Sequence, residues 1–177
     1  SLCVVLGVAG ARDALRPFAD PVIFLFLGGF LLAEAMIKHG LNRRVALAVL
    51  SRPRVGGNVT GLLVGFGLLT AFISGWVSNT ATAAMMLPIA LSILRELAER
   101  QTGDAAAWRG SPMAVPLILM TAFGASIGGL ATPIGTPPNI IGLGLIEQHI
   151  GRRLTFFEWM RFAAPAALVL TVVLAWR

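Results

Sequence analysis

Ser74-Gly75-Trp76-Val77-Ser78-Asn79-Thr80-Ala81-Thr82 lies in the middle of 36 residues, Val59 to Leu94, without a charged side chain. A helix that crosses a membrane takes roughly 20 apolar residues, and two take roughly 40 plus a turn. The run is therefore too long for one crossing and marginally short for two. Its centre is polar and short-chained: Ser78-Asn79-Thr80, with Ser74, Gly75 and Thr82 close by. Asn and Ser are good N-caps, so a new helix can start at Thr80 or Ala81. This predicts a re-entrant hairpin that enters from one side, breaks near the midplane and leaves on the same side. Non-helical backbone at that depth must be buried in protein or line a wet cavity. Two short ordinary spans joined by a polar outer turn are the alternative.

A second uncharged run, Gly110 to Ile146, has 37 residues. Pro112 to Ala131 reads as one helix, with Pro116 in its first turns. Thr132-Pro133-Ile134-Gly135-Thr136-Pro137-Pro138-Asn139 follows, and three prolines and a glycine in eight residues cannot be continuous helix. Apolar sequence resumes beyond it, but Ile140 to Ile146 is too short to span alone. A discontinuous transmembrane helix with an unwound linker at membrane depth is expected. A surface loop between two spans is the alternative.

Outward from these runs, the composition fits lipid surroundings. Of 177 residues 56% are hydrophobic and 12% charged, with 20 glycines and no tyrosine. Ordinary soluble domains carry about 25% charged residues. The mean hydropathy is +0.83. So apolar a chain is not disordered, and its single cysteine, Cys3, cannot form an internal disulfide. Pro21 to Ile37 reads as a transmembrane helix broken only by Glu34. Intramembrane acids are functional by default, but Glu34 lies about a turn from Lys38, which favours a structural pairing. Val45 to Leu50, flanked by arginines, reads as an interfacial helix, with a plain basic loop as the alternative. Phe156-Phe157-Glu158-Trp159 reads as an interfacial aromatic belt, and Phe162 to Trp176 as the start of a final span.

The chain thus divides into five parts. Residues 1–58 hold the end of a span, one transmembrane helix and the interfacial helix; 59–94 form the hairpin. Residues 95–111 are a polar connector, 112–150 the discontinuous helix, and 151–177 the start of the next span. The chain opens at Ser1 inside an apolar stretch and has no visible signal peptide, so a piece of a longer membrane protein is expected.

The net charge of +6 comes from arginines clustered between apolar runs. That pattern fits membrane topology rather than nucleic acid, because no aromatic residues interleave with the basic ones. Lys38, Arg43, Arg44, Arg52, Arg54, Arg95, Arg100 and Arg109 fall on one side. Arg12, Arg16, Arg152, Arg153 and Arg161 fall on the other. The positive-inside rule makes the first side, residues 38–58 and 95–111, cytoplasmic.

Two helix breaks in so short a chain point to transport. Half-helix N-termini offer free N–H groups and partial positive charge to anions. Half-helix C-termini and unwound carbonyls coordinate Na⁺. An anion held within these two uncharged runs is held by dipoles and hydroxyls, not by a salt bridge. An enzyme is not expected: neither a P-loop nor a His-Glu-x-x-His motif is present, and neither run supplies a base for Ser74 or Ser78. His39 and His149 lie at span ends and read as interfacial loop residues rather than metal ligands. Gly57, Gly61 and Gly65, like Gly124 and Gly128, are spaced by four and read as helix-packing positions.

Four stretches, in this order and spacing, resemble the divalent anion:Na⁺ symporter family of dicarboxylate, citrate and sulfate carriers. They are Pro21-Val-Ile-Phe-Leu-Phe-Leu-Gly-Gly-Phe30, Ser74 to Pro88 with its Ser-Asn-Thr triplet, Ala131 to Asn139, and Phe157-Glu-Trp-Met-Arg-Phe162. The resemblance covers nearly the whole chain but only the N-terminal half of the family's inverted-repeat fold. It implies an all-α integral membrane protein, half of an elevator-type carrier that is usually a homodimer. It implies Ser74, Ser78, Asn79 and Gly135 at a first Na⁺ site, and Ser78, Asn79 and Thr80 in half of the substrate site. Thr136 and Pro137 match the linker beside the substrate. A second Ser-Asn-Thr hairpin, which this chain lacks, belongs to the other half. Na⁺-coupled symport of C4-dicarboxylates (succinate, malate, fumarate) or sulfate across the cytoplasmic membrane is the expected activity. An arsenite permease or Na⁺/H⁺ antiporter is the nearest alternative, and a non-transporting membrane scaffold a more distant one.

Overall fold

The computed structural model describes residues 59–176 throughout and, before them, residues 2–7, 10–12, 24, 27–28, 31, 34–36, 38–41, 44 and 48. The expected span Pro21 to Ile37 and the basic segment 38–58 fall largely outside the described residues. Among described residues every element is helical. After a single turn at Leu2–Val5 come α1 (Val59–Ser74), α2 (Asn79–Thr102), a 3-10 turn (Ala105–Gly110), α3 (Ala114–Gly129), α4 (Pro137–Ile150) and α5 (Phe156–Trp176). α2 and α5 are long and apolar enough to cross a membrane.

The first break falls at Gly75–Ser78. Helix restarts at Asn79, one residue before the earliest start expected from the caps, because Ser78 is the N-cap: its hydroxyl accepts from Ala81 N at 3.3 Å. α2 then continues past the apolar run through Arg95 and stops at Gly103, whose φ of 72° suits a left-handed cap. The second break, 130–136, lies two to three residues earlier than expected, because α3 ends at Gly129 rather than Ala131. Pro137 and Pro138 open α4 instead of extending the linker, since a proline costs nothing at the first helical positions, where an N–H has no intrahelical partner anyway. α5 begins at Phe156, so the aromatic cluster expected at the interface is its first turn. Thr155 and Glu158 cap it reciprocally: Thr155 N donates to Glu158 Oε2 at 2.7 Å, and Glu158 N to Thr155 Oγ1 at 3.3 Å.

α3 is wedged between the arms α1 and α2, which barely touch each other, and α5 lies across α1 and α3. The core joins Phe66, Leu69 and Ile73 of α1, Met86, Ala90 and Leu94 of α2, and Leu117 and Met120 of α3. Small residues let α1 and α3 approach. A Cβ on Gly124 would sit 3.3 Å from Thr70 Cβ, and one on Gly128 would overlap the backbone of Ala71. On α1 the tight position is Gly67, where a Cβ would come 2.6 Å from Met120 Sδ. Gly61 and Gly65 are only half-buried, and Gly57 lies outside the described residues. Glu34 and Lys38 are both exposed, with no ion pair between them among the described residues. Phe72, Val115, Phe123, Ile141 and Phe157 are exposed apolar side chains on several faces, as expected where lipid or another apolar surface surrounds the fold.

Candidate functional site

The two breaks meet. α1 ends at Ser74, which is fully buried, and its hydroxyl reaches across to α3, donating to Ala125 O at 2.6 Å. Ser74 Oγ also lies 2.8 Å from Asn79 Oδ1, across the break it precedes. One hydroxyl proton satisfies one acceptor. With that proton on Ala125 O, two oxygens face each other unless the Asn79 amide is turned over to donate, an assignment that hydrogen-bond geometry alone decides.

Asn79 in turn lies against Gly129, the last residue of α3, where an added Cβ would overlap its amide. A larger residue here would push the Asn79 amide from its place. Gly135 of the second break presses on the same residue: its Cβ would come 2.5 Å from Gly129 O.

Two side chains knit the linker to this point. Thr132 donates to Gly75 O in the first break, and its Oγ1 accepts from Gly135 N at 3.0 Å. Asn139, buried in the first turn of α4, gives both amide protons to carbonyls: Gly129 O at 2.8 Å and Thr132 O at 2.7 Å. The break therefore leaves few backbone groups bare at depth, as burial demands. α5 closes the arrangement. Trp159 Nε1 donates to Leu130 O at 3.0 Å, and Trp76 stacks obliquely on Phe156 with centroids 6.4 Å apart.

Four helix ends thus converge on Gly129: the C-termini of α1 and α3 and the N-termini of α2 and α4. The first pair carries partial negative charge, the second partial positive charge. The two N-termini differ. Pro137 and Pro138 have no N–H, and Asn139 N donates to Thr136 O at 3.1 Å. α4 can thus offer an anion its dipole but few donors, whereas Asn79 and Thr80 head α2 with backbone N–H groups.

The expected site residues separate by exposure. Ser74 and Gly135 are buried and Asn79 half-buried, and these three gather around Gly129. Ser78 and Thr80 are exposed at the hairpin tip, Pro137 is exposed and Thr136 half-buried at the head of α4. Ser78 Oγ is engaged in capping α2, and no side-chain bond joins it to Ser74 or Asn79 among the described residues. The donor set is hydroxyl, amide and carbonyl: no group of three His, Cys, Asp or Glu comes together among described residues.

Thr132, Asn139 and Trp159 carry bonds here that the sequence pattern does not assign to them. The signal available for Thr132 and Asn139 was their polarity inside an uncharged run. For Trp159 there was none, because its partner is a carbonyl 29 positions away. An apolar pocket of about 510 Å³ lies beside the first break, between Phe72, Trp76, Ile134, Met36 and His39. Its walls are almost wholly apolar, which suits a hydrocarbon and not a dianion.

Comparison with known proteins follows the same lines. A family model described as citrate transporter matches residues 1–177. The sodium-dependent dicarboxylate transporter SdcS of Staphylococcus saprophyticus is 40% identical over 169 residues, covering 96% of this chain and 32% of that protein. The protein of the same name from Staphylococcus aureus is 39% identical over 153 residues, covering 86% of this chain and 29% of its own length. The chain spans about a third of the length of the curated relatives it matches.

Proposed function

This chain belongs to the citrate transporter family, and from that premise we propose that it supplies one half of the site of a Na⁺-coupled symporter for C4-dicarboxylates. The observation that carries this reading is the meeting of both helix breaks at Gly129, with charge-free oxygen donors buried inside and polar groups exposed outside. Na⁺ and the dianion are both cargo. The buried cluster of Ser74, Asn79 and the Gly135 region faces the C-terminal ends of α1 and α3, where carbonyl charge favours a dehydrated cation. Ser78, Thr80, Thr136 and Pro137 lie at the heads of α2 and α4, where helix dipoles and N–H groups favour a carboxylate. Asn79 belongs to both, so a cation bound at its side chain raises the local positive potential for the anion. That shared residue is the physical basis for coupling.

α1 has 16 residues and is about 24 Å long, short of the roughly 30 Å hydrocarbon core, whereas α2 with 24 residues is long enough to cross. The short arm α1 favours a re-entrant hairpin over two spans, and α3, also 16 residues, favours α3 with α4 as one discontinuous crossing. The chain is integral to a membrane; the family resemblance favours the cytoplasmic membrane, and the arginine distribution favours residues 95–111 on its inner side. A second Ser-Asn-Thr hairpin completes the anion site in the inverted-repeat reading, and a homodimeric elevator follows from the same resemblance. Sulfate is the competing dianion.

The test is uptake of labelled succinate into proteoliposomes holding the product of the complete reading frame that contains residues 1–177. Uptake should need an inward Na⁺ gradient. Succinate and sulfate uptake both indifferent to Na⁺ would sink the assignment.

A further inference from the structure

Among the described residues four threonines are buried within helices: Thr70, Thr82, Thr121 and Thr171. Three of them behave alike. Thr70 donates to Phe66 O at 2.8 Å, Thr121 to Leu117 O at 3.2 Å, and Thr171 to Ala167 O at 2.8 Å. Bonding back to the carbonyl four residues earlier is how an apolar helix accommodates a hydroxyl. Thr82 has the same acceptor at hand in Ser78 O, which accepts from Thr82 N at 2.9 Å. Its Oγ1 does not use it. Thr82 is fully buried, and its hydroxyl has no partner among the described residues.

A bare hydroxyl in an apolar interior is costly, and a valine of the same shape avoids the cost. The position explains what the hydroxyl is kept for. Thr82 follows Asn79 by three residues and Ser78 by four, so it lies under the hairpin tip on the same helix face. It is the first member of the buried stripe Thr82, Met86, Ala90, Leu94, Ala98, the one nearest the oxygen cluster and the only polar one.

We propose that Thr82 Oγ1 is a further oxygen ligand for the coupling cation, one helical turn deeper in α2 than Asn79, and that it sets the cation's affinity. This rests on the Na⁺-symport reading above. A small monovalent cation that sheds water takes neutral oxygens in its place, and a hydroxyl lone pair is such a donor. Binding the ion satisfies the group that folding leaves bare.

The experiment compares Thr82→Val and Thr82→Ser in the complete protein. Na⁺ is titrated against succinate uptake in proteoliposomes, and thermal unfolding in detergent is followed with and without Na⁺. T82V should raise the Na⁺ concentration for half-maximal uptake by about tenfold, the effect of losing one ligand to a charge. T82S should stay near wild type, and the KM for succinate at saturating Na⁺ should not move in either. Without Na⁺, T82V should unfold at or above the wild-type temperature, and its gain on adding Na⁺ should shrink. Wild-type Na⁺ dependence in T82V overturns the proposal and leaves a structural or water-bound hydroxyl. If T82V does not fold, T82A carries the same comparison. Absence of Na⁺ dependence in the wild-type protein overturns the symport reading itself, and this proposal with it.

Discussion

Asn139 holds the second break together with one amide. Its two protons satisfy Gly129 O and Thr132 O in buried residues, and Thr132 O also accepts from Gly135 N at 3.3 Å. Truncation to alanine leaves Gly129 O bare and Thr132 O with only the longer bond from Gly135 N, at a cost of about 1–3 kcal/mol. Asn139→Ala should therefore lower the unfolding midpoint in detergent by several degrees and reduce uptake, because Gly129 and Gly135 lose their fixed spacing. An unchanged midpoint would mean that the linker is held elsewhere. At this scale the sequence was partly legible. Ser74 and Asn79 are conspicuous as polar residues inside an uncharged run, whereas a site role for Gly135 follows only from the family resemblance. That Thr132 would bridge to Gly75, or that Trp159 would take the Leu130 carbonyl, depends on which helices pack together, and no local pattern encodes it.

At the scale of the elements, the breaks were readable from capping and proline chemistry alone. Ser78 as N-cap and the proline-rich stretch after Ala131 mark them, to within a residue or two at the first. The second lies two to three residues earlier than expected, and its far end escapes a sequence reading because Pro137 and Pro138 are compatible with a helix start as well as with its interruption. What the sequence could not rank was which small residues bring the helices together. Gly128 meets the Ala71 backbone and cannot take a Cβ without moving α1 from α3, whereas Gly142 and Gly144 on α4 face open space. Gly128→Ala should destabilise by about 1–3 kcal/mol through overpacking. Gly144→Ala should be neutral or stabilise by about 0.5–1 kcal/mol, as it removes helix-interior backbone entropy. Thermal unfolding of the two variants checks the contrast. Equal effects would mean that the α1–α3 approach does not control stability.

For the whole molecule, topology follows if α1 and α2 return to one side and α3–α4 cross once. Gln101 and Gln148, both exposed, then lie on opposite sides of the membrane. With Cys3 replaced by serine, a membrane-impermeant thiol reagent should label Gln101→Cys only from the cytoplasmic side and Gln148→Cys only from outside. Labelling of both from one side would break the single-crossing reading. The fold class was legible in the length of the uncharged runs. The convergence of four helix ends at Gly129 was not, since it requires α3 to lie between the two arms of the hairpin. The most direct measurement of the central claim is Na⁺-driven uptake of labelled succinate by Asn79→Ala in the complete protein, with expression and oligomeric state followed in parallel. Uptake should be abolished while expression and assembly stay at wild-type levels, because in the proposed site Asn79 serves both the cation and the anion. Full uptake in that variant would contradict the assignment of the site.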